Sequence, residues 1–413
     1  MSKEKIILFT LAGINFTHIM DFMIIMPLGD LLMKVFEITP QQFSLIVSSY
    51  TFTAGIFGFV AAFVIDRFDR RKALLFLNVG FVVGTIACAL APTYVVLLFA
   101  RSLTGAFGGV LGALILSVVA DVVPDERRGQ GMGIVMAAFS VASVAGVPFG
   151  YFLAEKFSWH APFLLLAGMG TLITLAIFKF IPSLTGHMVK KSDRPSPAKV
   201  LTNAISLPNQ KLALLFMLAL ILGQFSIIPF IAPYMIRNVG FEGDQITYIY
   251  LVGGGLTIFT SPLIGRLADK FGKKTVFIVC ASAAIIPVFL ITHMPPVPVA
   301  AALVVTGLFF VLGGGRMIPA MAMITSSVKP QNRGSFMSIS SSVQQLAAGL
   351  ASLIAGVIVI DNGGSLARYN WVGYFAIAVT VVCIFLGSRI KSVEQLEADD
   401  AVIAKEKKAL AEA

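Results

Sequence analysis

The chain has 413 residues, 57% of them hydrophobic and only 13% charged, with a net charge of +10 and a mean hydropathy of +0.89. The charged share is about half that of a soluble globular protein, so this much apolar surface is excluded from a single water-soluble core and the chain reads as a polytopic membrane protein. Its basic residues are scattered over short segments between apolar stretches, which sets membrane topology and leaves no separate basic domain to grip nucleic acid.

In chain order, apolar stretches of about 20 residues, enough to cross hydrocarbon as helix, are expected at 6–29, 42–65, 73–92, 94–119, 130–154, 161–181, 211–236, 245–267, 275–293, 297–324, 335–360 and 370–390. The start, Met1 to Lys5, runs into the first stretch without a small-residue cleavage site, so a first span is expected and not a removed signal. With twelve spans, both ends lie on one side. All but six of the 31 lysines and arginines fall on that side; Lys34, Lys156, Arg237 and Arg368 lie opposite, and Arg101 and Arg316 fall inside spans. The bias predicts cytoplasmic termini in a cell membrane. A polar, proline-containing linker is expected at 182–210, dividing a bundle at 1–181 from one at 211–391, with a cytoplasmic tail at 392–413. Cys88, Cys280 and Cys383 sit in apolar runs and read as small buried residues, with no metal-ligand or disulfide spacing.

Four ionisable groups lie where charge is expensive: His18, Asp21, Arg101 and Arg316. A lone charge at mid-bilayer costs on the order of 3 kcal/mol, so each needs a partner or a wet cavity. Asn15, His18 and Asp21 recur every third residue, each step turning about 60° around the first span, so they form one polar face toward the interior. Asp21 is read either as a carboxylate that takes up and releases a coupling proton, with His18 sharing it, or as a structural ion pair with Arg101 or Arg316. Arg316 follows Gly313-Gly314-Gly315 and reads as a holder of an anionic substrate group or of Asp21, or as a snorkelling side chain. Asn15, Gln224 and, in the serine-rich eleventh span, Gln344 and Gln345 are the candidate substrate-cavity residues.

The chain also repeats itself. Asp66-Arg67-Phe68-Asp69-Arg70-Arg71-Lys72 returns 203 residues later as Asp269-Lys270-Phe271-Gly272-Lys273-Lys274. At the same shift Phe22 meets Phe225 and Asp21 meets Gln224; at a slightly larger one Arg128-Gly129 meets Arg333-Gly334. Gln224 cannot titrate, so the acid chemistry is confined to the first half. Two similar halves around a central path are transporter architecture.

On these residues the chain resembles the major facilitator superfamily over essentially its full length. The loop resembles that family's Gly-x-x-x-Asp-Arg-x-Gly-Arg-Arg-Lys motif. The first copy departs at Ala62 and Asp69; the second, through Gly265, Asp269, Gly272, Lys273 and Lys274, fits better. Gly146-Val147-Pro148-Phe149-Gly150 resembles the segment associated with antiporters of the twelve-span drug:proton branch, and Arg101-Ser102-Leu103-Thr104-Gly105 the intramembrane arginine motif. The resemblance implies an all-α polytopic fold of two pseudo-symmetric six-helix bundles. Its Asp-basic loops, Asp66, Arg67, Arg70 and Arg71 among them, then act as conformational latches between the halves, or simply set topology.

The expected function is proton-coupled export of small amphipathic or drug-like compounds by alternating access. The alternative is import or uniport of sugars or organic anions, with Arg101 and Arg316 binding substrate. Protons, substrate and lipid are the expected partners; no cofactor is called for, and nothing demands more than a monomer. An enzyme or an ATP-driven pump is disfavoured, since no nucleophile constellation, metal cluster or phosphate-binding glycine loop occurs.

Overall fold

The computed structural model describes residues 3–124, 127–185, 207–329 and 333–397. Hydrocarbon offers the backbone no hydrogen-bond partner, so an apolar chain must satisfy itself as helix. Twelve helices are long and apolar enough to span a membrane: Glu4–Ile24, Pro40–Ala61, Arg70–Ala89, Tyr94–Val122, Arg128–Lys156, Ala161–Phe180, Pro208–Val239, Gly243–Phe271, Lys273–Thr292, Val299–Ser326, Phe336–Ile358 and Tyr369–Arg389, hereafter spans 1 to 12. Most of the linker expected at 182–210 and of the tail expected at 392–413 lies outside the described residues. The one strand pair among the described residues joins Ile360–Asp361 to Leu366–Ala367.

Helix starts follow local chemistry. Thr39 and Gln42 close a capping box ahead of span 2, with Pro40 at the first turn. Asp69 caps span 3 by accepting from the Arg71 amide.

Packing order reveals the repeat. Span 5 packs on 1, 1 on 6, 6 on 3, 3 on 4 and 4 on 2; span 11 packs on 7, 7 on 12, 12 on 9, 9 on 10 and 10 on 8. Adding six to each number of the first series gives the second. The two groups meet where span 2 packs on 11 and span 5 on 8.

Two spans differ from the uninterrupted stretches expected at 6–29 and 211–236. The helix of span 1 stops at Ile24, turns over 25–28, and resumes as a separate helix, Gly29–Val35. Span 7 breaks at Ser226 and Ile227, between helices Pro208–Phe225 and Ile228–Tyr234. Pro27 and Pro229 fall at these breaks, each removing a backbone donor. Broken helices at matching places in the two halves of a repeat are a recurring feature of transporter sites.

Candidate transport site

Asp21 lies in the last turn of the span 1 helix, before the break at 25–28, and its side chain is fully buried. Arg101, eight residues into span 4, reaches it: Nη1 donates to Asp21 Oδ2 at 2.7 Å and to the Asp21 carbonyl at 3.2 Å. The ion pair expected as one reading of these residues is therefore formed, and Arg101 is the partner. Its guanidinium also lies 4.5 Å from the centre of the Tyr50 ring, a cation–π contact from span 2. Asp21 Oδ1, the Tyr50 hydroxyl, and Nε and Nη2 of Arg101 are buried without hydrogen-bond partners.

Asn15 lies on the same helix but is tied elsewhere, donating to the Val135 carbonyl of span 5 at 3.0 Å. His18 lies against Gly108, over which the Tyr50 hydroxyl also closes, and its Nδ1 has no partner. No hydrogen bond joins His18 to Asp21 among the described residues.

The matching break in span 7 follows Gln224. Arg316, from span 10, donates through Nη2 to Gln224 Oε1 at 2.8 Å and through Nη1 to Thr380 Oγ1 at 3.2 Å. Arg316 is 2% exposed. It is neither a snorkelling side chain nor a partner of Asp21; it is a buried cation held by two neutral groups.

Between the two sites the halves touch through aromatic rings. Phe22 lies 5.5 Å from Tyr50 on its own side and 5.9 Å from Phe225 of the other half. A continuous line of contacts thus runs from Arg101 through Tyr50, Phe22 and Phe225 to the residue next to Gln224.

Span 5 carries a π-helical turn over Ala142–Gly146, immediately ahead of Pro148. Gly146 and Gly150 face span 1: a Cβ at Gly150 would come 2.8 Å from the side-chain ends of both Met20 and Ile24, so the glycine lets span 5 approach closely beside Asp21.

At the end bearing the Asp-basic loops, Asp66 pairs with Arg70 at 2.7 Å, and Arg70 reaches Asp121 at the end of span 4 at 3.1 Å. Arg71 donates to the Phe178 carbonyl; Arg67 forms no ion pair among the described residues. Every one of these contacts stays within spans 1–6. Asp69 stands where the repeat has Gly272, which adopts φ +90°. The aspartate instead takes φ −56° and accepts from Ser183 and from the Leu184 and Arg71 amides. Burial would raise its carboxyl, but the Ser183 bond, these amides and the Lys72 charge hold it below the usual carboxylate range. In the second loop Lys274 donates to the Ser388 carbonyl, Asp269 and Lys273 form no ion pair among the described residues, and Gly265 faces open space. A small cavity of about 110 Å³ lies between the halves at this end, lined by Gly58, Asp66, Gly109, Ser342 and Gln345 among others; Gln344 does not line it.

The opposite end is closed by charge across the halves. Arg237 Nε donates to Asp30 and its Nη1 to Asp361 at 2.7 Å, and Asp30 also holds Lys34 at 2.8 Å. Sequence reading missed Tyr50, Thr380 and this triad. Arg237 was available as one of four cations on its side, and the Pro27/Pro229 match could have marked the breaks.

Twelve spanning helices in two like-packed sets, with buried charge where both sets break, define a polytopic transporter. A family model described as Major Facilitator Superfamily matches residues 11–223 and 212–410, and the chain belongs to that family. Among relatives, the chain is 26% identical over 339 residues to the Uncharacterized MFS-type transporter YceJ of Bacillus subtilis (strain 168), covering 82% of this chain and 85% of that one. It is 26% identical over 273 residues to a Probable sugar efflux transporter of Helicobacter pylori (strain ATCC 700392 / 26695), covering 65% and 67%. Among solved structures, a D-xylose-proton symporter matches with TM-score 0.75 at 18% identity, covering 94% of this chain and 99% of that one. A bacterial homolog of the human lysosomal transporter Spinster matches at 0.72 with 16% identity, covering 94% and 95%. These two likenesses establish the fold.

Proposed function

We propose that the chain is a proton-coupled exporter of small amphipathic compounds, with Asp21 as the coupling carboxylate. The observation that carries this reading is the Asp21–Arg101 pair: buried, at a helix break, with Oδ1 uncommitted. Protonation of Asp21 removes one charge of the pair and loosens Arg101. The proton therefore has differential free energy between two conformations, which coupling requires. Arg101 acts as the counter-ion, and His18, one turn before Asp21, as a relay.

The bundles at 1–181 and 211–391 rock against each other, parting and re-forming the Phe22–Phe225 contact. The charge bias supports cytoplasmic termini in a bacterial inner membrane, which makes the Asp66 and Asp269 loops inner latches and the Asp30–Arg237–Asp361 triad the outer closure. The π turn and the Gly146-Pro148-Gly150 approach support a flexing span 5 of the antiporter kind. Export is also favoured by the name of the Helicobacter relative, a Probable sugar efflux transporter.

The test is growth of an efflux-deficient bacterial host expressing the chain, against a panel of toxic amphipathic compounds, beside the same host expressing Asp21→Asn. Resistance with the native chain and none with the variant is expected. Equal resistance in both would remove Asp21 from the coupling role, and no resistance to any compound would count against export.

A further inference from the structure

We propose that Arg316 and Gln224 form the seat for the anionic group of an amphipathic monoanionic substrate. The inference rests on the exporter reading above and assigns it a substrate class.

The two buried arginines beside the helix breaks differ in one respect. Arg101 is neutralised by Asp21; Arg316 is not neutralised by anything described. Its partners, the Gln224 amide and the Thr380 hydroxyl, are uncharged, and the one ionisable group bearing on it is the Cys383 thiol. A guanidinium stays charged under all ordinary conditions, and burying one inside a membrane without a counter-charge is costly. A chain that keeps it there keeps an anion receptor.

Geometry supports the same assignment. A carboxylate is bound best side-on, through two parallel N–H groups of the guanidinium fork. Nε of Arg316 is buried with no partner, and the adjacent Nη2 is held only by the Gln224 carbonyl oxygen. An incoming carboxylate takes Nε and displaces Gln224 from Nη2, leaving Thr380 on Nη1. The displaced amide then has its own N–H groups to offer. Gly313 leaves space for Gln224: a Cβ there would come 2.7 Å from its amide. The neighbouring Phe225, against Phe22 across the halves, supplies an apolar wall for the rest of the molecule. The seat becomes accessible when those two rings part.

The experiment is equilibrium stabilisation of the full-length purified protein, with no pH gradient, read from tryptophan fluorescence on heating. The probes are benzoate and hexanoate, each against its uncharged counterpart, benzamide and hexanamide. The carboxylates are expected to raise Tm saturably by about 2 °C or more, and the amides are not. Gln224→Glu, an isosteric change that places a carboxylate on the guanidinium, is expected to remove the rise while keeping a folded protein. Arg316→Gln should also remove it. No rise with either carboxylate, an equal rise with the amides, or a rise that survives Gln224→Glu each overturns the proposal. Because binding is read without a gradient, its failure leaves the coupling role of Asp21 standing, and failure of coupling leaves the binding result intact.

Discussion

Phe22 and Phe225 occupy matched positions in the internal repeat, and their rings lie against each other, centroids 5.9 Å apart. Two residues related by a two-fold axis can touch each other only at that axis. The axis of the repeat therefore passes between these rings, and Asp21 and Gln224, the residues just before them, flank it. The two halves place a charged pair on one side, Asp21 with Arg101, and a cation with neutral partners on the other, Arg316 with Gln224.

Loss of either charge of the buried Asp21–Arg101 pair should be destabilising. Arg101→Gln strands a buried carboxylate, and removing one member of a buried pair typically costs about 3–5 kcal/mol. A marked drop in Tm and yield is expected. Adding Asp21→Asn to that variant should recover a substantial part of the loss, because it removes the stranded charge; a double-mutant cycle on thermal stability measures this. Strictly additive losses would mean the pair carries no coupling energy.

Span 5 should resist a bulky side chain at Gly150, where it crosses span 1. Gly150→Val brings carbon into Met20 and Ile24, an overpacking that costs about 1–3 kcal/mol. Transport and Tm are both expected to fall. Gly168→Val in span 6, where a Cβ meets nothing within 4 Å, serves as the control and should leave both unchanged.

The closed end should open in acid. Burial alone would raise the Asp361 carboxyl, but the hydrogen bond from Arg237, those from the Gly364 and Gly363 amides and the Arg237 charge outweigh it and hold the group below the usual carboxylate range. A depressed carboxyl contributes above its ordinary pKa and loses that contribution as pH falls through the depressed value. Spin labels at Val35 and Asn362 should therefore report a wider separation at a pH well below the ordinary carboxylate value of about 4 than at pH 7. Arg237→Gln should show the wide separation at both. A distance indifferent to pH and to the variant would remove the triad from the closure.

Much of this fold was legible in the sequence, because hydrocarbon thickness imposes a length on every span and lipid excludes anything but helix. The repeat was legible at the loops for the same reason: positive charge must stay on one side. The breaks in spans 1 and 7 were not legible to hydropathy, since Ile25, Met26 and Leu28, like Ile227 and Ile228, are as apolar as the helices they interrupt; only Pro27 and Pro229 mark them. Hydropathy sees the solvent a residue prefers and not the hydrogen bond it lacks. The partner of Asp21 was equally out of reach. Arg101 lies 8 residues into its span and Arg316 18 residues into its own. Either could be drawn to Asp21 until the packing of spans 1, 4, 7 and 10 fixed which one arrives. Asp69 is instructive in another way. It breaks the glycine pattern of the loop, yet its side chain ties span 3 to the end of span 6, a use that only the position of Ser183 and Leu184 reveals.

The central claim is that Asp21 carries the coupling proton, and the protein contains its own precedent for the decisive variant. Gln224 against Arg316 shows that an amide facing a buried arginine is compatible with this fold, so Asp21→Asn should assemble normally. The direct measurement is transport by purified protein in sealed vesicles, with and without an imposed pH gradient, using a compound to which the native chain confers resistance. Gradient-driven transport is expected of the native chain and, for Asp21→Asn, a folded protein with a cooperative though lowered melting transition and transport that no longer responds to the gradient. Gradient-driven transport at the native rate in Asp21→Asn would contradict it.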